Sequence, residues 1–259
     1  MKYTQVTEIP GQKATLEQLS MMITRYNLAR VNTENLDIVE IACGSGIGLG
    51  YLAQYSKSVV GGDVDKILTS IAKTNNSEFS NVTVLELDAH NLPFKDNTFD
   101  ALVIFEAIYY LIDINKFVKE SLRVLKPNGK IIISTVNCLW DGFNPSPFSI
   151  KYYTPNELFD LFNKENYIEY DLLLGFYDSH IGSNKIISTI KKIAVKLNLI
   201  PKTMNGKKFL KWFFYGKLFD IPKILNNKFA PIQELQNIKN VIKENIKFYK
   251  QNYLIIKFK

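Results

Sequence analysis

Ile38-Val39-Glu40-Ile41-Ala42-Cys43-Gly44-Ser45-Gly46-Ile47-Gly48 is the stretch on which the reading of this chain turns. A short β-type run ends at Cys43 and meets three glycines at alternate positions. Residues 49–55 then read as a helix. In a strand–turn–helix unit, glycines let the backbone come close to a ligand, and the helix start offers free N–H groups. A dinucleotide fingerprint, G-x-G-x-x-G, does not fit: counted from Gly44 the last position is Leu49, and from Gly46 it is Tyr51. Taken alone, the cluster is either a ligand loop or a tight structural turn.

The flanking sequence supplies the context. Downstream, Ser58 to Gly61 reads as a second strand ending at Asp63. A helix over 66–73 follows, then a third strand from Val82 to Leu87 ending at Asp88. Phe99-Asp100 opens a fourth strand, Ala101 to Phe105. A helix over 115–125 stops at Lys126-Pro127-Asn128-Gly129, before a fifth strand, Lys130 to Val136. Upstream, Thr15 to Arg30 reads as a helix opened by a Thr15/Gln18 capping box. Strands alternating with helices over short connections predict a mostly parallel sheet covered on both faces. Thr154-Pro155-Asn156-Glu157 is a second strong helix start, and Tyr167 to Phe176 and Tyr253 to Lys259 alternate as two more strands. The sequence between those strands reads as a helical insertion, in part through the spacing of Leu235, Ile238, Ile242, Ile246 and Tyr249.

An acid at the end of the strand after a glycine loop is placed to accept from ribose hydroxyls, and one a strand further on lies where a purine edge would be. Asp63 and Asp88 fill those two places. With these residues in view, Val39 to Gly46 resembles motif I of class I S-adenosylmethionine-dependent methyltransferases, and Val59-Val60-Gly61-Gly62-Asp63 is similar to their second motif. Asp88-Ala89-His90-Asn91-Leu92-Pro93-Phe94 with Phe99-Asp100 resembles the "D-A-x-x-L-P-F … F-D" signature of the type 11, ubiquinone-biosynthesis-like branch, and Leu125 to Lys130 resembles its "L-K-P-G-G" turn. The resemblance spans residues 36–176 and departs at Ala42, where the family carries glycine.

The resemblance implies a Rossmann-like, doubly wound α/β fold: seven strands with the last antiparallel, and a cap inserted between strands six and seven. Residues 1–180 and 252–259 would form the cofactor domain, with 181–251 as a basic helical cap on the acceptor side. It also implies S-adenosylmethionine as cofactor. Ala42, Gly44 and Gly46 would line its methionine part, and Glu40 would orient the loop or reach the amino group. Asp63 would hold the ribose and Val64 flank the adenine. Asp88 and the Ala89 N–H would meet the adenine edge, and Phe105 would lie near the methionine.

Methyl transfer needs a base only when the acceptor is a weak nucleophile such as a hydroxyl. The candidates are Glu106, Tyr110 and His180, with Tyr109 beside them. Tyr110 either orients the acceptor or packs. His90 reads as a surface residue. Glu106-Ala107-Ile108-Tyr109-Tyr110 lacks the second Glu and the His of a metal-binding variant of this segment, so no metal is expected. The loop Asn144-Pro145-Ser146-Pro147-Phe148 reads either as an acceptor wall, with Trp140 and Phe143, or as a plain connection.

The composition is that of a folded globular chain: 259 residues, 46% hydrophobic and 22% charged. Two cysteines are too few for a disulfide framework. No stretch reaches the ~18 apolar residues of a membrane span, and the first residues lack a signal's apolar core, so a cytoplasmic location is the expectation. The net charge of +7 is unevenly spread. Residues 1–150 hold 13 Lys/Arg against 16 Asp/Glu, and residues 151–259 hold 19 against 9. Residues 182–223 alone contain ten Lys and one acid, with Phe209 to Tyr215 rich in aromatics. That segment reads as an amphipathic cap with a solvated basic face, as a peripheral contact for an anionic membrane, or as a field for an anionic or carrier-linked acceptor. Nucleic acid is not the expected partner. The expected activity is methylation of a small molecule, at oxygen, with a sugar or polysaccharide precursor as first acceptor and a quinone- or lipid-like one as second. An RNA methyltransferase and a non-catalytic binding protein are the remaining alternatives.

Overall fold

The local rules that open the elements are met. Thr15 accepts from the Gln18 N–H while the Gln18 side chain accepts from the Thr15 N–H, and helix α1 runs Leu16–Asn32. Asp65 caps α3, Lys66–Asn75, by accepting from Ile67 and Leu68. Thr154, Pro155 and Glu157 form the box that starts α5, Pro155–Asp160. A computed structural model describes residues 8–162, 165, 167–178 and 217–259. The remaining described elements, in chain order, are β1 (Lys13–Ala14), β2 (Asp37–Ile41), α2 (Leu49–Ala53), β3 (Ser58–Asp63), β4 (Val82–Glu86), β5 (Phe99–Phe105), α4 (Ile114–Val124), β6 (Leu125–Val136), β7 (Tyr167–Tyr177), β8 (Phe219–Asp220), β9 (Gln236–Asn237) and β10 (Tyr249–Phe258).

The central sheet has the order β4-β3-β2-β5-β6-β10-β7-β9. Pairing is parallel from β4 through β6, and β10 runs antiparallel to both β6 and β7. This is the expected doubly wound sheet of seven main strands, with the two-residue β9 added at the edge. Successive side chains point to opposite faces, and both faces are covered. Ile38, Val59, Val103 and Ile132 pack on one side with Leu19, Met22, Ile23 and Tyr26 of α1. Val39, Ile41, Ile104, Ile133 and Leu254 pack on the other with Phe117 of α4 and Leu158 of α5. The strand order reverses between β2 and β5, so a crevice opens at their carboxyl ends.

The insertion differs from the expectation where it is described. Residues 235–249 do not form an α-helix. Gln236-Asn237 pair with β7, and two 3-10 turns follow at Ile238–Asn240 and Lys243–Phe248. β-branched Val241 and Ile242 keep extended backbones between the turns, and Asn237 caps the first turn through the Lys239 N–H. β10 starts at Tyr249, so three residues assigned to the cap belong to the sheet. Residues 219–230 pack into the main core: Ile221, Leu225 and Ala230 are buried against the same face as α1. His180 and most of the lysine-rich segment lie outside the described residues. Among the described residues no helix is long and apolar enough to cross a membrane.

Candidate active site

The crevice holds a cavity of about 400 Å³. Its lining brings together Glu40, Ala42, Gly44, Asp63, Val64, Asp88, Ala89, Phe105, Glu106 and Tyr110, residues that the sequence had nominated from four different strands. Gly46 is not among the lining residues. Its φ is +70°, and a Cβ there would come within 2.7 Å of the Ala72 Cβ, so this glycine shapes the loop against α3 instead of touching a ligand. Gly48 serves packing as well, since a Cβ would overlap the Tyr26 ring at 1.9 Å.

Asp63 is buried at the end of β3. Its Oδ2 accepts from the Gly44 N–H at 3.0 Å and its Oδ1 from the Asp65 N–H at 2.9 Å. Burial raises its pKa, against those two bonds. Asp63 is among the cavity-lining residues, and a carboxylate has accepting capacity beyond these bonds that would suit ribose hydroxyls. Val64, half-exposed beside it, offers an apolar face to a base.

Asp88 is organised by His90. The His90 N–H donates to Asp88 Oδ1 at 2.9 Å, and the His90 ring Nδ1 lies 2.6 Å from the same oxygen. The Asp113 N–H donates to His90 Nε2 at 3.2 Å, so Nε2 is the acceptor and Nδ1 carries the hydrogen. These bonds lower the Asp88 pKa, the backbone N–H of His90 contributing most. They also occupy Oδ1 and leave Oδ2 for an amino group. His90 is therefore not the surface residue expected: it ties the end of β4 to the start of α4.

The floor of the cavity carries groups that the sequence reading missed. Tyr26 donates to Glu40 Oε1 at 2.5 Å, and its ring meets Phe105 edge-on with centroids 5.0 Å apart. Arg25, buried on α1, pairs with the carboxylate of Glu8. Among the described residues, Glu40 Oε2 and Arg25 Nε are buried without a hydrogen-bond partner. Burial pushes the Glu40 carboxyl up to about 7, opposed by Tyr26 and by the Arg25 charge. Burial works against the Arg25 charge, but Glu8, Tyr26 and Glu106 outweigh it and hold the guanidinium ionised. An orphaned carboxylate oxygen and an orphaned guanidinium N–H in one cavity fit a ligand with both an amino and a carboxylate group, such as the methionine end of S-adenosylmethionine. The available signal was an arginine set among Met22, Ile23 and Tyr26 on the buried side of α1.

Ala42 and Glu106 share one feature: φ is +57° at Ala42 and +51° at Glu106. The left-handed region costs an L-residue roughly 1–2 kcal/mol. At Ala42 the family's glycine would relieve that strain, so Ala42→Gly is expected to raise unfolding free energy by about 1 kcal/mol, read by urea denaturation. At Glu106 the strain turns the side chain into the crevice. Ser134 Oγ and Tyr109 Oη lie 3.4 Å from its two carboxylate oxygens, and burial raises the carboxyl to about 7 despite the nearby Arg25.

Tyr110 is half-buried on the cavity wall, with its hydroxyl 3.4 Å from Ser146 Oγ. Tyr152 stacks on Tyr109 at 4.6 Å, and Phe143 meets Tyr152 edge-on at 4.7 Å. The 143–152 loop thus stands behind Tyr109 and Tyr110 and braces them, and none of its residues lines the cavity.

A crevice at the switch point of a doubly wound sheet, with a perturbed carboxylate beside it, is where folds of this class hold their ligands. Residues 39–133 match the "Methyltransferase domain" family. A "Probable S-adenosylmethionine-dependent methyltransferase" of Mycobacterium tuberculosis is 30% identical over 139 residues, which are 51% of this chain and 49% of that protein. A "Ubiquinone/menaquinone biosynthesis C-methyltransferase" of Rickettsia prowazekii is 36% identical over 107 residues, 38% of this chain and 43% of that one. The chain thus spans about half the length of the curated relatives it matches. A solved Thermotoga maritima structure, a "SAM-dependent methyltransferase, possible histamine N-methyltransferase", superposes with a TM-score of 0.59, covering 93% of this chain and 92% of that one. At 17% identity this likeness shows the fold.

Proposed function

We propose that the protein is an S-adenosylmethionine-dependent methyltransferase acting on the hydroxyl of a small planar acceptor, with Glu106 as general base. The observation that carries the reading is the Glu106 carboxyl: strained into the crevice, raised to about 7, and next to the cavity floor that suits a methionine end. The bound cofactor supplies an electrophilic methyl group on a sulfonium. The chain's part is alignment and exclusion of water. Asp63 holds the ribose, Asp88 Oδ2 the adenine amino group, and Glu40 and Arg25 the two ends of the amino acid. Glu106 would take the proton from the acceptor hydroxyl, to which the cofactor, when bound, would supply its methyl group, leaving as the neutral thioether.

The acceptor side favours a planar, mostly apolar molecule over a sugar. Phe105, Ala107, Tyr109, Tyr110, Leu111 and Ile112 line the cavity around Glu106, and they offer ring faces and few donors to a polyol. The quinone-pathway names among the relatives agree with this choice. Incubation with S-adenosylmethionine labelled in its methyl group tests it. Label is expected in a catechol or hydroquinone and not in a nucleotide-linked sugar. Transfer to the sugar alone overturns the acceptor assignment, and absence of cofactor binding by calorimetry overturns the whole reading.

A further inference from the structure

Residues 8–14 form a strap that runs from Glu8, in the cavity lining, to β8. The Gly11 N–H donates to the Ile221 carbonyl at 2.9 Å, and the Ile221 N–H donates to the Gln12 carbonyl at 2.8 Å. Lys13 pairs with Asp220 at 2.8 Å, so β1 and β8 are joined by backbone and by charge. At the other end of the strap, Ser45 of the glycine loop donates to the Glu8 carbonyl at 2.6 Å. The Glu8 side chain turns down from there to Arg25. Its side chain is 34% exposed, whereas the Arg25 side chain is 7% exposed, so a partly exposed acid sits on a buried cation in the cavity lining.

Arg25 is also within electrostatic reach of Glu106. A third carboxylate brought to the same guanidinium would leave uncompensated negative charge in a desolvated site, which is strongly unfavourable. Resting on the cofactor assignment above, we propose that Glu8 is an internal stand-in for the cofactor's α-carboxylate. The incoming amino acid end takes Arg25 over and expels the Glu8 side chain, while the Ser45 bond and the β1–β8 pairing keep the strap in place. Glu8 is then a specificity residue. It sets a threshold that only a nucleoside carrying a carboxylate overcomes, and nucleosides without one leave the internal pair intact.

Titration calorimetry on the full chain tests this with S-adenosylhomocysteine and with 5′-methylthioadenosine, which lacks the amino acid end. Glu8→Gln and Glu8→Ala are both expected to tighten S-adenosylhomocysteine binding by about tenfold, the scale of one charge-assisted contact. Both are expected to leave methylthioadenosine affinity unchanged. Unchanged or weaker S-adenosylhomocysteine binding in the two variants overturns the competition while leaving the cofactor site standing. Equal tightening of both nucleosides also overturns it, since that marks a steric effect of the strap. If neither nucleoside binds the unaltered chain or the variants, the cofactor assignment and the competition fall together.

Discussion

Glu106→Gln is expected to lower the rate of methyl transfer by roughly 10²- to 10⁴-fold, the range of a positioned general base, with cofactor affinity unchanged. The pH profile separates this from a structural defect. A base works ionised, and burial holds this carboxyl near 7. The rate of the unaltered enzyme should therefore rise with pH up to about 7 and level off above it, while the Gln variant shows no such limb. Stability moves the opposite way. A carboxyl whose folded pKa is raised favours folding most when protonated, so its contribution is lost as pH climbs from the unfolded value through about 7. Above pH 7 the Gln variant should accordingly unfold at or above the temperature of the unaltered chain. A variant that keeps the rising limb places the base elsewhere, with Tyr110 or His180 next in line.

Asp63→Ala is expected to weaken S-adenosylhomocysteine binding by at least about 100-fold, or ~2.7 kcal/mol, as read by calorimetry. The magnitude follows from the double duty of this side chain. Its two oxygens fix the Gly44 and Asp65 N–H groups, and on the proposed function the same side chain would hold the ribose. Alanine leaves two backbone donors and two hydroxyls without acceptors and frees the glycine loop. Asp88→Ala should cost less, because that carboxylate is 58% exposed and one of its oxygens is already committed to His90. Native-like affinity in the Asp63 variant would move the nucleoside out of this crevice.

What was legible in the sequence is what is local in it. The Thr15 and Thr154 caps are complete within four residues, and both form. The glycine turn and the acids Asp63 and Asp88 sit at strand ends that the alternation of elements locates, and they converge because parallel strands present their ends side by side. The groups that were missed act across long sequence separations. Arg25 and Tyr26 come from a helix preceding the glycine loop, and no pattern within that helix says that its buried face lies beneath the cavity. The same holds for Ile221 and Leu225, whose burial against α1 is a tertiary choice. Residues 235–249 misled because apolar residues three and four apart suit an α-helix, while β-branched Val241-Ile242 and pairing to the edge of β7 favour extended backbone between tight turns. His90 looked bland because its partners, Asp88 and the Asp113 N–H, meet only once β4 and α4 are in place.

The reversal of strand order between β2 and β5 has an evolutionary consequence. Asp63 and Asp88, the proposed nucleoside ligands, sit on the β2-β3-β4 side of that seam, and Glu106 with the aromatic wall sits on the β5-β6 side. On the proposed function, binding the methyl donor and choosing the methyl recipient would then fall to two different halves of one sheet. Substitutions in the aromatic wall or its bracing loop can change the recipient while the donor site keeps its residues. The matched segment, 39–133, takes in Asp63 and Asp88 together with Glu106 and the aromatic wall, and leaves out Arg25, the 143–152 loop, β8 and β10. On the proposed function, a lineage built this way would diversify in the recipient half while keeping Asp63 and Asp88.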